Sequence, residues 1–327
     1  MKIETHLKNE IGRLCVKDGT KFNVLCILIL STVLVVLLYM DSQKGIGLRV
    51  KQRIYVKSIS RQLKGLKELP ETSNHPTAVT KSRIKPKVIP LIYTVTPTYY
   101  RLTQMADLTR FANTLRNVRR LHWIVVEDWT FTNHNVHDLL HTSNIPFTYI
   151  AQATRETSNA SKGNDQKNSA LEWINKNHRF GEPAVVYFAD DDNTYDLRLF
   201  EEMRYTKKLS MWPVGFSGAM RLEKPIVKDG KVTNFSAWWS NHRVFAVDMA
   251  GFAINTNVLW DYYPMRFETI VPAKTCCMAE THFLEQCCTR EDIEPKADNC
   301  TKVYVWHTKT VKPGLRVGQS KNEDIYV

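Results

Sequence analysis

Charge is missing from one long stretch of the sequence, residues 22–40, which lies between Lys21 and Asp41. An uncharged, apolar run of this length is typical of a transmembrane helix, since about 20 residues cross the hydrocarbon core of a bilayer. No small-residue cleavage site follows the run, which disfavours a cleaved signal peptide. We therefore predict a transmembrane signal-anchor helix over residues 22–40, preceded by a cytosolic tail over residues 1–21.

Acidic residues are scarce in residues 41–87, where three Asp and Glu stand against twelve Lys and Arg. This segment carries +9 of the chain's formal net charge of +12, so the remainder is nearly neutral. A nearly neutral remainder argues against a nucleic-acid-binding core. We interpret residues 41–87 as a basic stem that ends in an extended, proline-containing linker. A short heptad pattern in the stem fits either paired helices in a homodimer or a single short amphipathic helix, and its apolar positions are Val56, Ile59, Leu63 and Leu66. We predict the homodimer.

The orientation of the predicted span does not follow from charge, because five basic residues precede it and five follow it closely. Glycosylation sequons are more informative, since all three lie on the C-terminal side of the span. We therefore predict a single-pass type II protein with a lumenal C-terminal domain. The predicted glycosylation sites are Asn159, Asn234 and Asn299.

Cys-x-x-Cys spacing is absent, although the chain has seven cysteines. Cys276–Cys277 and Cys287–Cys288 are adjacent pairs, without the two-residue gap that structural zinc sites use. We therefore favour disulfides over zinc, with the pairing left open. Because these four and Cys300 are an odd number on the lumenal side, at least one thiol is free or intermolecular.

From residue 88 onward, apolar strand-like segments alternate with helical periodicity, and no internal repeat is found. This alternation predicts a largely parallel α/β sheet with helices on both faces. Beyond about Met211 the sequence becomes strand-rich, which indicates a second subdomain on the same sheet. The predicted strands are residues 88–96, 121–128, 147–152 and 185–188, and the predicted helices are residues 101–118 and 165–178.

Three aspartates, Asp190 to Asp192, follow the last of these strands. Adjacent like charges raise one another's ionisation cost, so a positive group must lie near them. A calcium loop is one alternative, but Tyr195 stands where that loop needs glycine. A helix cap is another, with Asp192 or Asn193 capping a helix over 196–208. We favour a divalent cation that joins a carboxylate to a nucleotide diphosphate, because ligands of such sheets bind at the carboxyl ends of the strands.

Six segments of residues 88–310 occur in a distinctive order: "VTPTYYRLTQMADLTRFANTL", "LHWIVVED", "VVYFADDDNTYDLRLFEEMR", "WPVGFSGAMRLEKP", "VDMAGFAI" and "NCTKVYVWHT". Together they resemble the animal β-1,3-glucuronosyltransferases. The resemblance implies a GT-A type fold, with a UDP-sugar-binding subdomain over 88–198 and an acceptor-binding subdomain over 199–327. It also implies UDP-glucuronate as the donor, Mn²⁺ as the cofactor and inversion of the anomeric configuration.

The resemblance assigns donor-binding roles to residues at the ends of the predicted strands. Tyr99 matches the aromatic residue that stacks on uracil, and Asp128 matches the carboxylate that binds the base. Asp190 and Asp191 match residues around the ribose, and His307 matches a contact of the diphosphate.

Two further roles follow from the resemblance. Asp192 matches the direct metal ligand, and Glu280 matches the catalytic base, with Glu285 as the rival position in the same block. The remaining matched residues lie near the acceptor or the glucuronate and are Glu223, Trp238, Arg243 and Asp248.

The sequence departs from the family pattern at three donor-binding positions, where Lys162, Lys167 and Lys309 replace arginines. Lysine keeps the positive charge but loses the bidentate fork that suits phosphate or carboxylate. We therefore expect weaker donor binding or altered donor selectivity.

The resemblance implies a Golgi membrane enzyme that adds glucuronate to the 3-hydroxyl of a terminal β-galactose in the proteoglycan linker. Alternatives are transfer to N-acetyllactosamine ends of glycoproteins or glycolipids, use of another donor sugar, or a catalytically weak paralogue that binds glycans.

Overall fold

The computed structural model describes residues 88–159, 163–179, 181–271 and 278–314. The predicted tail, transmembrane helix and stem lie outside the described residues, as do Lys162, Cys276 and Cys277. Within the described ranges, no helix combines the length and apolar character needed to cross a membrane.

The strands of the described residues are β1 Leu91–Thr98, β2 Leu121–Glu127, β3 Phe147–Ala151, β4 Ala184–Phe188, β5 Thr194–Tyr195, β6 Leu209–Met211, β7 Val214–Gly215, β8 Leu222–Lys228, β9 Lys231–Ser236, β10 Phe252–Asn255, β11 Ile293–Pro295 and β12 Val305–Trp306. The α-helices are α1 Gln104–Leu115, α2 His134–Thr142, α3 Asn164–Asn177, α4 Leu197–Arg204, α5 Thr256–Asp261, α6 Ala279–Glu285 and α7 Ala297–Cys300.

The larger sheet has seven strands in the order β11-β6-β10-β4-β1-β2-β3. Its β4-β1-β2-β3 part is parallel throughout, which confirms the sheet predicted from the alternation of strands and helices. β10 runs antiparallel to both β4 and β6. No helical crossover precedes β10, and an antiparallel strand needs none.

The central strand β4 is buried on both faces. Val186 and Phe188 belong to one hydrophobic cluster, whereas Val185 and Tyr187 belong to another on the opposite face. Alternation of side chains along a strand places neighbours on opposite faces, so a continuous apolar run fits this central position. The strand therefore places the aspartates that follow it at the edge of the larger sheet, next to both hydrophobic clusters.

The smaller sheet has the strand order β5-β12-β7-β8-β9 and begins next to these aspartates. β5 lies just after the aspartates and pairs antiparallel with β12, so that Trp306 faces Thr194. Trp306 also pairs with Gly215 of β7. These pairings bring together three segments that are distant in the sequence.

The cap of α4 differs from the sequence prediction. Asp196, not Asp192 or Asn193, precedes this helix, and its carboxylate accepts the backbone N–H of Arg198 at 2.9 Å. The prediction was wrong because β5 intervenes between the aspartates and the helix. Asp192 is therefore not used as the cap.

The predicted helix over 101–118 also begins later, at Gln104. Arg101 lies before α1, and its side chain makes ion pairs with Asp107, six residues further on, and with Asp191, 90 residues further on. Local periodicity could not reveal these ion pairs, so it placed Arg101 inside the helix.

Candidate active site

The carboxyl ends of β1, β2 and β4 lie side by side at one edge of the larger sheet, as expected for neighbouring parallel strands. The backbone N–H of Asp128 donates to the carbonyl of Thr98 at 2.8 Å, and that of Ala189 donates to Val95 at 2.8 Å. The sheet thus brings the predicted donor-binding residues of three strands to one edge.

Arg101 is the positive partner of Asp191, which is buried. Its guanidinium donates to both oxygens of Asp191, at 2.7 Å to Oδ1 and 3.0 Å to Oδ2. The Thr98 hydroxyl donates to the same Oδ2 at 2.7 Å. One of the three adjacent aspartates is therefore neutralised by the protein itself.

A second carboxylate, Asp107, supports this arrangement and was not identified from the sequence. It is fully buried and accepts from Arg101 at 2.8 Å and from Arg110 at 3.0 Å. The hydroxyl of Thr310 donates to it at 2.6 Å. Asp107 thus ties the start of α1 to the segment after β12, and only its position on the buried face of an amphipathic helix signalled it.

Lys167 is the positively charged residue with the largest effect on the pKa of Asp190. Lys167 is buried on α3, and burial lowers the pKa of its amine. Burial raises the pKa of Asp190 to about 6, and the positive charge of Lys167 opposes that rise. The predicted donor-binding roles of these two residues therefore fall in one electrostatic cluster.

Asp192 is held by its backbone. The hydroxyl of Thr308 donates to its carbonyl at 2.7 Å, and Arg110 donates to the same atom at 3.2 Å. Its half-buried carboxylate has no hydrogen bond or ion pair within the described part of the chain, and burial, followed by the charge of Asp191, raises its pKa. An unpaired carboxylate of this kind fits a hard divalent cation such as Mn²⁺.

The residues around Asp192 do not form a closed metal site by themselves. Among the described residues, no group of three or more His, Cys, Asp or Glu side chains is placed to hold a metal ion. A cation at Asp192 would accordingly take its other ligands from a bound nucleotide or water.

His307 follows β12 and is paired with Asp248. Its Nδ1 lies 3.1 Å from Oδ2 of Asp248, and this hydrogen bond raises the pKa of His307 to about 9. Burial opposes ionisation of Asp248, but its hydrogen bonds with His307 and other groups outweigh burial and lower its pKa. His307 is therefore a protonated donor at neutral pH, as a contact with a diphosphate requires.

Ser217 connects this pair to the predicted acceptor side and was not identified from the sequence. Its Oγ lies 2.8 Å from Oδ2 of Asp248 and 3.0 Å from Oε2 of Glu223. A hydroxyl carries one proton, so it can donate to only one of these carboxylates at a time. The two carboxylates therefore share one donor.

Glu223 is 4% exposed and is enclosed by the chain around Trp238. It accepts the backbone N–H of Trp238 at 3.1 Å and lies 3.8 Å from Arg243. Gly218 has a φ of +58° and approaches so closely that a Cβ atom would collide with the Glu223 carboxylate. The indole of Trp238 remains 52% exposed beside this network.

Glu280 lies in the first turn of α6, whereas Glu285 is exposed at the other end of that helix. Burial raises the pKa of the Glu280 carboxyl group to about 7, and the charge of Asp248 adds to the rise. The cations Lys167 and Arg243 oppose it. Glu280 is thus electrostatically coupled to three other predicted site residues, Asp248, Lys167 and Arg243.

Tyr99 and Asp128 occupy the outer part of the edge. The ring of Tyr99 is 54% exposed, with the guanidinium carbon of Arg101 4.9 Å from its centroid. The carboxylate of Asp128 accepts the backbone N–H of Thr154 at 2.7 Å and its hydroxyl at 2.8 Å.

The remaining predicted site residues are exposed or lie outside the described residues. Lys309 is exposed, and Lys162 falls outside the described residues. All three sequon asparagines are exposed, namely Asn159, Asn234 and Asn299.

The cysteines differ from the disulfide prediction. Cys287, Cys288 and Cys300 are buried free thiols. The sulfur atoms of Cys287 and Cys288 lie 2.8 Å apart, and Cys300 packs its thiol against the carbonyl of Met211. The disulfide prediction is therefore wrong at these three positions, where each thiol contacts a neighbouring thiol or a backbone carbonyl instead.

Lys167 provides a test of the electrostatic cluster. We expect Lys167→Gln to raise the Michaelis constant for the donor about tenfold, since a charge-assisted hydrogen bond contributes about 1.5–3 kcal/mol. Lys176→Gln is the matched control on the same helix, because Lys176 makes a surface pair with Glu172. Steady-state kinetics of both variants check this, and equal constants in the two would place Lys167 outside the site.

Comparison with known proteins identifies the family of this chain. The sequence model of glycosyltransferase family 43 matches residues 111–311 of this chain. The chain is 44% identical over 232 residues to the mouse (Mus musculus) galactosylgalactosylxylosylprotein 3-beta-glucuronosyltransferase 2, covering 69% of this chain and 71% of that protein. It is 41% identical over 251 residues to the human (Homo sapiens) galactosylgalactosylxylosylprotein 3-beta-glucuronosyltransferase 3, covering 71% of this chain and 74% of that protein.

This chain is a glycosyltransferase, and it belongs to glycosyltransferase family 43. Among solved structures, S. aureus TarS aligns with 67% of this chain and 37% of its own, at 15% identity and a TM-score of 0.41. A likeness at that level adds nothing to the assignment.

Proposed function

We propose that the chain is an inverting glucuronosyltransferase that transfers glucuronate from UDP-glucuronate to the 3-hydroxyl of a terminal β-galactose. The observation that carries the proposal is the 44% and 41% identity to relatives named as 3-beta-glucuronosyltransferases, together with the hydrogen-bonded network of His307, Asp248, Ser217 and Glu223. The relatives are named for a galactosyl-galactosyl-xylosyl protein acceptor. We propose the same acceptor class, the linker of proteoglycans, for this chain.

In this proposal one GT-A type subdomain binds the donor and the other binds the acceptor, and the two substrates meet at the edge of the sheet. Glu280 removes the proton of the acceptor hydroxyl, and the resulting oxygen attacks the anomeric carbon of the donor. The bond to UDP breaks on the opposite side, so the configuration inverts. His307 donates to the departing diphosphate, while Lys167 offsets negative charge next to it.

Asp192 would hold Mn²⁺, which when bound neutralises negative charge on the diphosphate. On the nucleotide side, Tyr99 stacks on the base and Asp128 and Asp190 bind the uridine. On the acceptor side, the network of Glu223 and Arg243 orients galactose hydroxyls, and Trp238 offers an apolar face to the sugar ring.

A donor and acceptor screen tests the proposal. The purified full-length chain in detergent is assayed with UDP-glucuronate, UDP-glucose and UDP-N-acetylglucosamine, each with galactosyl-galactose and N-acetyllactosamine acceptors. We expect transfer from UDP-glucuronate to galactosyl-galactose to have the highest kcat/KM. Preference for N-acetyllactosamine would replace the proposed acceptor, and preference for another donor would refute the glucuronate assignment.

The pH dependence follows from two groups. Glu280 must be deprotonated to act as the base, so kcat/KM should rise with pH through about 7, the raised pKa of that group. His307 must be protonated to donate, so kcat/KM should fall again above about pH 9. In Glu280→Gln the rising limb should vanish while the falling limb remains, and an unchanged rising limb would assign it to another group.

We also propose that the chain is a homodimer anchored in the Golgi membrane, with Val327 in the lumen. The uncharged run over residues 22–40 supports the membrane anchor, and the position of the three sequons supports the lumenal orientation. Protease digestion of sealed microsomes should leave the C-terminal domain intact until detergent is added. Digestion without detergent would mean that the orientation is reversed.

A further inference from the structure

Arg101 connects the strand-end aspartates to the proposed base-stacking residue. Its terminal N–H groups reach four acceptors: both oxygens of Asp191 at 2.7 and 3.0 Å, Oδ2 of Asp107 at 2.8 Å, and the carbonyl of Tyr99 at 3.5 Å. A guanidinium has four terminal N–H bonds in a rigid plane, so these partners define its orientation. The first three are short contacts, and the fourth is at the limit of a hydrogen bond.

The same guanidinium covers one face of the Tyr99 ring. Its Cζ lies 4.9 Å from the ring centroid, within the range of a cation–π interaction. Because the ring is 54% exposed, its uncovered surface remains available to a ligand. The two carboxylates thus fix Arg101, and Arg101 in turn backs the ring.

Asp191 itself is poorly placed to meet a ligand. It is buried, and both of its oxygens accept from Arg101, with Thr98 donating to one of them as well. Asp192, by contrast, has no such partner in the described ranges, and its carboxylate is half-buried. The carboxylate of Asp191 is therefore held by protein groups, whereas that of Asp192 is not held by any of the described residues.

We propose that Arg101 is a positioning residue for the nucleotide base, and that Asp191 acts on the nucleotide through Arg101 by holding the guanidinium behind the Tyr99 ring. This inference rests on the proposed use of a uridine donor. It makes Arg101 a determinant of nucleotide affinity that does not touch the reacting atoms.

The test is a double-mutant cycle read out as the dissociation constant of UDP, measured by calorimetry on the full-length chain in Mn²⁺ buffer. Arg101→Lys keeps the charge but loses the fork and the flat face, so we expect UDP to bind about tenfold more weakly. In a Tyr99→Ala background the same substitution should change binding by less than about twofold, because the ring it backs is gone.

The chain supplies a matched control in Arg198. Its guanidinium pairs with both oxygens of Asp196 at 2.9 and 2.6 Å, and its Cζ lies 4.5 Å from the ring of Tyr304. Arg198→Lys removes the same kind of contact at a surface position and should leave UDP binding unchanged. If Arg101→Lys does not fold, Asp191→Asn replaces it in the cycle and should behave in the same way.

The outcomes separate the inference from the proposed function. Failure of the unaltered protein to bind UDP would refute the proposed function. If the unaltered protein binds UDP, then equal binding by Arg101→Lys, or full additivity with Tyr99→Ala, would overturn the role of Arg101 alone. A merely structural role would weaken UDP binding to the same extent in both backgrounds.

Discussion

Glu280→Gln is expected to lower kcat by at least about a hundredfold, because general-base catalysis supplies about 10²–10⁴ in rate and an amide cannot accept the acceptor's proton. Gln retains the shape of the side chain, so the fold of α6 should be unaffected. The dissociation constant of UDP should stay within about twofold, since the base serves the acceptor hydroxyl. Single-turnover kinetics together with UDP calorimetry measure both quantities.

Glu285→Gln is the matched control for that result. Glu285 belongs to the same helix but is exposed at its far end, and its kcat should remain within about twofold of the unaltered protein. A large loss in Glu285→Gln, with activity retained in Glu280→Gln, would exchange the two assignments.

Asp192→Ala is expected to abolish transfer and to remove the dependence of UDP binding on Mn²⁺. The carboxylate is half-buried and unpaired among the described residues, so its loss removes a cation ligand without breaking an ion pair. The melting temperature should accordingly stay close to that of the unaltered protein. Calorimetry with UDP, with and without Mn²⁺, measures the effect.

Asp138→Ala controls for the loss of one negative charge. Asp138 is an exposed residue of α2, and its removal should leave UDP binding dependent on Mn²⁺. Persistence of that dependence in Asp192→Ala would show that another group holds the metal.

The part of the site that follows the sheet could be predicted from the sequence. Buried strands alternating with helices imply parallel pairing, and parallel pairing brings the residues after β1, β2 and β4 to one edge. The prediction of Glu280 over Glu285 came from the resemblance, and the structure couples Glu280 to Asp248 and Lys167.

The part that depends on long-range pairing could not be predicted. The contact between Arg101 and Asp191 spans 90 residues, and local periodicity placed Arg101 inside a helix. Ser217 contacts Glu223, which lies on the strand β8 that pairs with β7, and Asp248, which lies 31 residues further along the chain. A serine in a loop carries no signal of such a role.

The product of the reaction tests the central claim most directly. The purified full-length chain is incubated with UDP-glucuronate, Mn²⁺ and a galactosyl-galactose acceptor, and the linkage of the product is determined by NMR. The account predicts a single glucuronate joined in the β configuration to O3 of the terminal galactose. An α linkage, attachment at another hydroxyl, or UDP binding without any transferred sugar would contradict it.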